Sequence, residues 1–309
     1  MTAAPAENRA LLFGAVLLFG AGWGLGQPFN KIAVSGGWQP YAIIFWQGII
    51  SSVMAFGICR LRGKSLPRTM AQWRTCAGVA VLGTMIPHFA TYTAVAHLPA
   101  GVMSVVLSTV PIVSMPMAVA FGNDRLSARR IAGLLSGLTA VCLIILSRPS
   151  EGGAPVQGFY VLIALIAPCC YALNGNLLAR YGRAGLDPVQ VMLGSALIAI
   201  PVALPLALAT GQFRAIAMPP PTADLAMIAV ALIHTCVYIG NLWLIGRAGP
   251  VFTSQITYFI TGFGMLWSML ILAERYPPLV WAALLLMLGG LFLVQPRRAR
   301  SAPVTEPVQ

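Results

Sequence analysis

Charge is what this sequence has least of. Only 8% of the 309 residues are charged, against about 25% in soluble globular domains, so a water-facing surface cannot be assembled from them. Acids are scarcest, with seven Asp and Glu against nineteen Lys and Arg. Fifty-eight per cent of the residues are apolar, which excludes a soluble enzyme, a disordered chain and a secreted disulfide scaffold. The six cysteines form no C-x-x-C pair, and Cys169-Cys170 lie in an apolar stretch, where small buried thiols are expected. No G-x-x-x-x-G-K-[ST] loop is present to hold a nucleotide phosphate. With three His, none in H-E-x-x-H spacing, neither a metal site nor a cofactor is expected, and the chain is not read as an enzyme.

The few charges divide the chain. Nine charge-free intervals run from Arg9 to Arg297, and the longest, from Arg74 to Asp124, is interrupted at His97-Leu98-Pro99-Ala100. Proline cannot continue a hydrogen-bonded helix, so that interval holds two segments. Spanning a bilayer takes roughly 20 apolar residues; every interval suffices except Arg130 to Arg148, which is marginal. Segments apolar all round, such as 282–294, must be helices, because in lipid each backbone group needs a partner within its own segment. The expected fold is an all-α integral membrane protein of ten transmembrane helices. The first interval stays apolar from Ala10 to Leu25, longer than a typical signal-peptide core, and is read as helix 1.

Basic residues set the orientation. With the N-terminus inside, fifteen Lys and Arg fall on the inner side and three (Arg148, Arg214, Arg275) on the outer, with Lys31 near the outer end of helix 1. That asymmetry predicts cytoplasmic termini in a cell (inner) membrane. It also accounts for the net charge of +12 without nucleic acid. Trp38 and Trp73 flank spans and read as interfacial anchors.

The two halves resemble each other. Trp23 and Pro40 recur as Tyr171 and Pro188, and Asp124-Arg125 recurs as Glu274-Arg275. A five-helix repeat is odd, so its second copy lies inverted, an architecture common in secondary transporters. The boundaries expected are 1–148 for the first copy, 155–296 for the second and 297–309 for a cytoplasmic tail. Asp124 and Glu274 are expected to cap helices 5 and 10. Gly22-x-x-x-Gly26 and Gly133-x-x-x-Gly137 are expected to let helices approach closely.

Tyr92-Thr93-Ala94 through Pro111 to Gly122-Asn123-Asp124-Arg125-Leu126, with Gly133 and Gly137, resembles the EamA repeat of the drug/metabolite transporter superfamily; Ala248-Gly249-Pro250 through Ala273-Glu274-Arg275 to Gly289-Gly290 resembles it again. Three positions depart from the pattern: Asp124 replaces a usual Glu, Gln47 stands where Arg is frequent, and Thr261 replaces a proline. The missing Arg argues against an anionic substrate. The resemblance implies a secondary transporter that exports small metabolites, such as amino acids or related compounds, by alternating access, with a homodimer as a further expected assembly. A channel, a structural membrane protein and an embedded enzyme are the alternatives.

Polar groups inside spans are costly and mark candidate sites. No acid lies at mid-span. His88 and His234 stand near the middle of matching helices and could carry a proton, or serve as neutral hydrogen-bonded rings. Gln27 and Asn30 in helix 1, and Asn174 and Asn176 in helix 6, are either site groups or interhelical glue. The resemblance implies that helices 1, 3, 4, 6, 8 and 9 line the cavity, and so places these amides at the site, with Gln27, Asn30 and Asn174 taken as the candidates. Trp23, Tyr92, Tyr171, Tyr238 and Tyr258 could stack on a substrate or simply pack. Pro28 is expected to kink helix 1 and free a carbonyl.

Overall fold

The computed structural model describes residues 9–122, 127–147, 156–253 and 255–294. Among them no strand forms, and the chain folds as helices α1 (Arg9–Ser35), α2 (Pro40–Leu61), α3 (Met70–His97), α4 (Ala100–Ala120), α5 (Ala128–Leu146), α6 (Gly158–Tyr181), α7 (Pro188–Ala209), α8 (Thr222–Thr253), α9 (Ile256–Leu272) and α10 (Pro278–Val294). Eight are long and apolar enough to cross a membrane; α9 and α10 are shorter apolar helices. The marginal interval becomes the 19-residue α5, because the helix starts before Arg129 and Arg130 and carries both in its first turn, with Ser127 as N-cap. The expected tail 297–309 and the acid Asp124 lie outside the described residues.

Large apolar side chains stand exposed on the outer faces, among them Leu18, Val53, Phe159, Leu285 and Phe292. So many on one chain suit lipid rather than water. Cys142 and Cys236 belong to this exposed set, and Cys169 and Cys170 are partly exposed. The expectation of buried thiols therefore holds only for Cys59 and Cys76, because small side chains also fit a lipid-facing surface.

Packing crosses between the halves. α1 lies against α8 and α9; α6 lies against α3 and α4. α2 pairs with α7, and α5 with α10. Exchange the halves and each contact maps onto another in the set. Glycines permit the closest approaches, since without a hydrophobic force between helices in lipid, packing distance governs association. A methyl at Gly133 of α5 would lie 2.8 Å from the Gly290 carbonyl of α10. One at Gly22 would lie 2.8 Å from Val237 of α8.

The turn between α3 and α4 is held from both sides by distant residues. Pro99 has no N–H, so the Val95 carbonyl loses its helical donor. The Lys31 ammonium replaces it, donating to the Val95, Ala96 and Leu98 carbonyls at 2.8, 3.0 and 3.0 Å. Just beyond the break, the Glu274 carboxylate accepts from the Ala100 and Gly101 N–H groups at 2.7 and 3.1 Å, and from the Tyr276 hydroxyl. A cation thus meets the negative end of α3 and an anion the positive end of α4. Burial, and then the adjacent carboxylate, push the Tyr276 phenol up from its ordinary pKa, so it remains a donor. Glu274 therefore does not cap its own following helix, as its position in sequence suggested. The free N–H groups nearest to its carboxylate belong to α4.

Trp38 also departs from expectation. It is 2% exposed, so its ring packs within the protein instead of standing free as an anchor, and its indole donates to Asp224 at 2.8 Å. Asp224, wholly buried, also accepts from Arg214 at 2.9 Å and from the Ala217 N–H at 2.9 Å. The Arg214 guanidinium lies over the Trp38 ring. A buried carboxylate needs such partners, and an indole N–H is one. Trp73 is half-buried beside Cys76 and Val191.

Candidate functional site

Two helices that line the central cavity, α3 and α4, are interrupted where they pass it. α3 widens into a π-type segment over Ala80–Met85, just before Pro87, whose missing N–H would have paired with Gly83. α4 breaks at Ser108-Thr109, just before Pro111, which in the same way leaves Leu107 without its donor. In α1, Pro28 lies inside the helix and removes the partner of Gly24. Gly83, Thr84, Leu107 and Ser108 all reach the cavity wall.

The cavity measures about 480 Å³, within the range typical of small-molecule sites. It is lined from both halves. From α1 come Trp23, Gln27 and Asn30; from α3, His88, Thr91 and Tyr92; from α6, Tyr171 and Asn174; from α8, His234 and Tyr238. Nine of the ten site candidates proposed from sequence meet here. Tyr258 does not: it packs beside the main apolar core, and its neighbour Thr257 faces the cavity instead. One residue along a helix is a rotation of about 100°, enough to turn a side chain from wall to core. Asn176, the alternative amide, donates to the Ser114 side chain and carbonyl and to the Ala172 carbonyl, and so joins α6 to α4.

Sequence reasoning missed Gln47, Thr84, Thr91, Ser108 and Thr257, which also line the cavity. Gln47 accepts a hydrogen bond from the Tyr92 hydroxyl. Its signal was a polar residue within an apolar run. The hydroxyls gave less, since Ser and Thr can satisfy themselves on their own helix.

The rings form a connected group. His88 and His234, one from each half, lie with centroids 5.9 Å apart; Trp23 meets His234 edge-on at 6.2 Å; and His88 lies 5.6 Å from Tyr92. No Asp, Glu, Lys or Arg lines the cavity among the described residues.

Exposure varies among the lining residues. Gln27, Asn30, Gln47, Thr91 and Tyr92 are buried, and they lie toward the end closed by the Lys31, Glu274 and Asp224 networks. Val79, Asn174, Met192 and Thr257 are partly exposed, and His234 is exposed. Val79, Asn174 and Met192 lie toward the ends of the helices joined by the loops of Arg60, Arg62, Lys64, Arg68, Arg180 and Arg183, whereas His234 stands near the middle of α8.

A chain of similar fold is known: a crystal structure titled only as that of a protein superposes with a TM-score of 0.60 at 18% identity, covering 94% of this chain and 98% of the other. An uncharacterized transporter of Archaeoglobus fulgidus is 25% identical over 138 residues, 44% of this chain and 46% of that protein. The chain thus matches about half the length of that curated relative. Residues 10–146 and, separately, residues 158–295 each match one family description, and on those two matches the chain belongs to the EamA-like transporter family.

Proposed function

We propose that the protein is a secondary transporter that exports small metabolites, amino acids or related compounds, by alternating access. The observation that carries this reading is the cavity: both halves wall it, its buried polar residues lie on the side of the Lys31, Glu274 and Asp224 networks, and Val79, Asn174 and Met192 line it on the side of the basic loops. A carrier needs a site reachable from one side at a time, and this arrangement suits loading from the basic side.

The architecture we infer is ten spans in two inverted copies, 1–148 and 155–296. The two family matches support two copies, and the reciprocal packing of α1 on α8 and α9 with α6 on α3 and α4 supports a two-fold relation between them. The basic face is assigned to the cytoplasm of a cell (inner) membrane by the charge asymmetry.

Counterflow in proteoliposomes tests the function. A carrier preloaded with unlabelled amino acids or related metabolites accumulates labelled cargo transiently and saturates, whereas a channel does neither. Linear, non-saturating flux would reject the carrier reading. A membrane-impermeant thiol reagent tests the orientation in intact cells, with Cys142 and Cys236 first replaced by Ser. A cysteine at Met218, which is 88% exposed on the face opposite the basic loops, should label, and one at Lys64 should not.

A further inference from the structure

The cavity wall offers hydrogen bonds without formal charge, and part of that capacity is unused. Gln27 Oε1, Asn30 Oδ1, His88 Nδ1 and Thr91 Oγ1 are buried with no hydrogen-bond partner. Gln27, Asn30 and Thr91 are 8%, 7% and 5% exposed, so bulk water does not readily satisfy them. Buried polar atoms in native proteins are nearly always paired, and four orphans on two facing helices, α1 and α3, mark a surface shaped for a partner outside the chain.

The wall also limits what that partner can be. A full charge entering it would lose its hydration and meet no opposite charge, a loss that amides and hydroxyls repay only in part. An uncharged group with adjacent donor and acceptor suits the wall better: its N–H reaches an amide oxygen of Gln27 or Asn30, and its carbonyl or ring nitrogen accepts from an amide N–H or the Thr91 hydroxyl. Asn and Gln read nucleobase edges by the same paired geometry. Trp23 and Tyr238 add aromatic surface for a planar ring.

We propose that the cargo is an uncharged, planar heterocycle carrying an amide-like donor–acceptor edge, of nucleobase to nucleoside size. This rests on the transport reading, keeps its small-metabolite cargo and sets aside the amino acids, because a zwitterion brings two full charges to a wall that answers neither.

The test holds one ring system constant and varies charge. Binding of indole acetamide, indole acetate, tryptamine and tryptophan to the purified full chain is measured by calorimetry, with adenine, uracil and adenosine as members carrying the full edge. The expected order places the nucleobases and indole acetamide at least tenfold tighter than every charged or zwitterionic member. Gln27→Leu should weaken nucleobase binding at least tenfold with thermal stability unchanged. Because that variant could fold poorly, Gln27→Glu supplies an independent arm: it should turn the preference toward tryptamine. Equal or tighter binding of any charged member by the unmodified chain, no binding of any uncharged heterocycle, or no change of preference in Gln27→Glu would overturn the proposal. Counterflow separates the two readings. Saturable exchange of tryptophan with no affinity for nucleobases keeps the carrier and discards the uncharged cargo; nucleobase binding without exchange keeps the site and discards the carrier.

Discussion

Replacing Lys31 by Met removes the cation from the α3 end while keeping most of the side-chain volume. Three carbonyls then lose donors now at 2.8 to 3.0 Å. Their costs differ. Val95 has no other backbone donor, since Pro99 stands where its N–H would come from, and an unsatisfied buried group costs about 1–3 kcal/mol. The Ala96 bond is exposed, so water replaces much of it. Removing the ammonium also recovers its own desolvation cost. The expected net loss is about 2–4 kcal/mol, measured by reversible unfolding in mixed micelles followed by tryptophan fluorescence. Lys31→Arg, which keeps the charge, should lose less than half as much. Glu274→Gln should be coupled to Lys31→Met by more than about 0.5 kcal/mol, because both act on one helix break. A Lys31→Met protein within about 0.5 kcal/mol of the unmodified chain, the range of ordinary surface changes, would refute the account of the break.

Three further outcomes follow from the packing and the cavity. Asp224→Asn strands the Arg214 guanidinium; because Arg214 is 33% exposed, the loss in the same unfolding assay should be about 2 kcal/mol, below the 3–5 of a wholly buried pair. Gly133→Leu drives a side chain into Gly290 and Val294, and should destabilise the α5–α10 contact by about 1–3 kcal/mol; unchanged stability would mean that these helices do not touch in the membrane. Among the described residues no carboxylate lines the cavity beside His88 and His234, so His88→Gln and His234→Gln should leave the pH profile of transport between about 5.5 and 8 unchanged, and flattening in either variant would assign the pair a proton-carrying role.

The helical spans were legible in the sequence because charge is so costly in lipid that its gaps outline the segments. His88, His234, Gln27 and Asn174 were legible for the same reason: a polar residue at mid-span needs a use. What the sequence hid were contacts set by distance in space rather than along the chain. Nothing near Glu274 says that its partners are the N–H groups of Ala100 and Gly101, 174 and 173 residues away. Trp38 carries the composition of an interfacial anchor, and only the position of Asp224 makes it a buried donor. Tyr258 and Thr257 are adjacent, and helical phase alone decides which one reaches the cavity. Pro28 was legible as a missing donor, while Pro87 and Pro111 were not, and their consequence depends on which neighbours surround the freed carbonyls.

The prolines explain why a cavity can exist in so apolar a bundle. Continuous α-helices satisfy their own backbones and pack through side chains alone, so their contacts favour a closed apolar seam. Pro28, Pro87 and Pro111 each remove a backbone donor at the depth of the cavity, and the helices respond there by a π-type widening in α3 and a break in α4. Irregular backbone at membrane depth is tolerated where it is buried in protein or lines a polar cavity. The polar side chains gathered at the same depth, Gln27, Asn30, Gln47, Thr84 and Ser108, supply that setting. Pro99 is the contrasting case. It lies beyond the cavity at the closed end, where no polar space adjoins it, and there the stranded groups are met by Lys31 and Glu274 instead. Pro28, Pro168, Pro201 and Pro205 stay inside continuous helices, so a missing donor alone does not break a helix. The breaks at Pro87, Pro111 and Pro99 differ in their surroundings, the first two beside polar cavity residues and the last beside charged residues from α1 and the loop after α9.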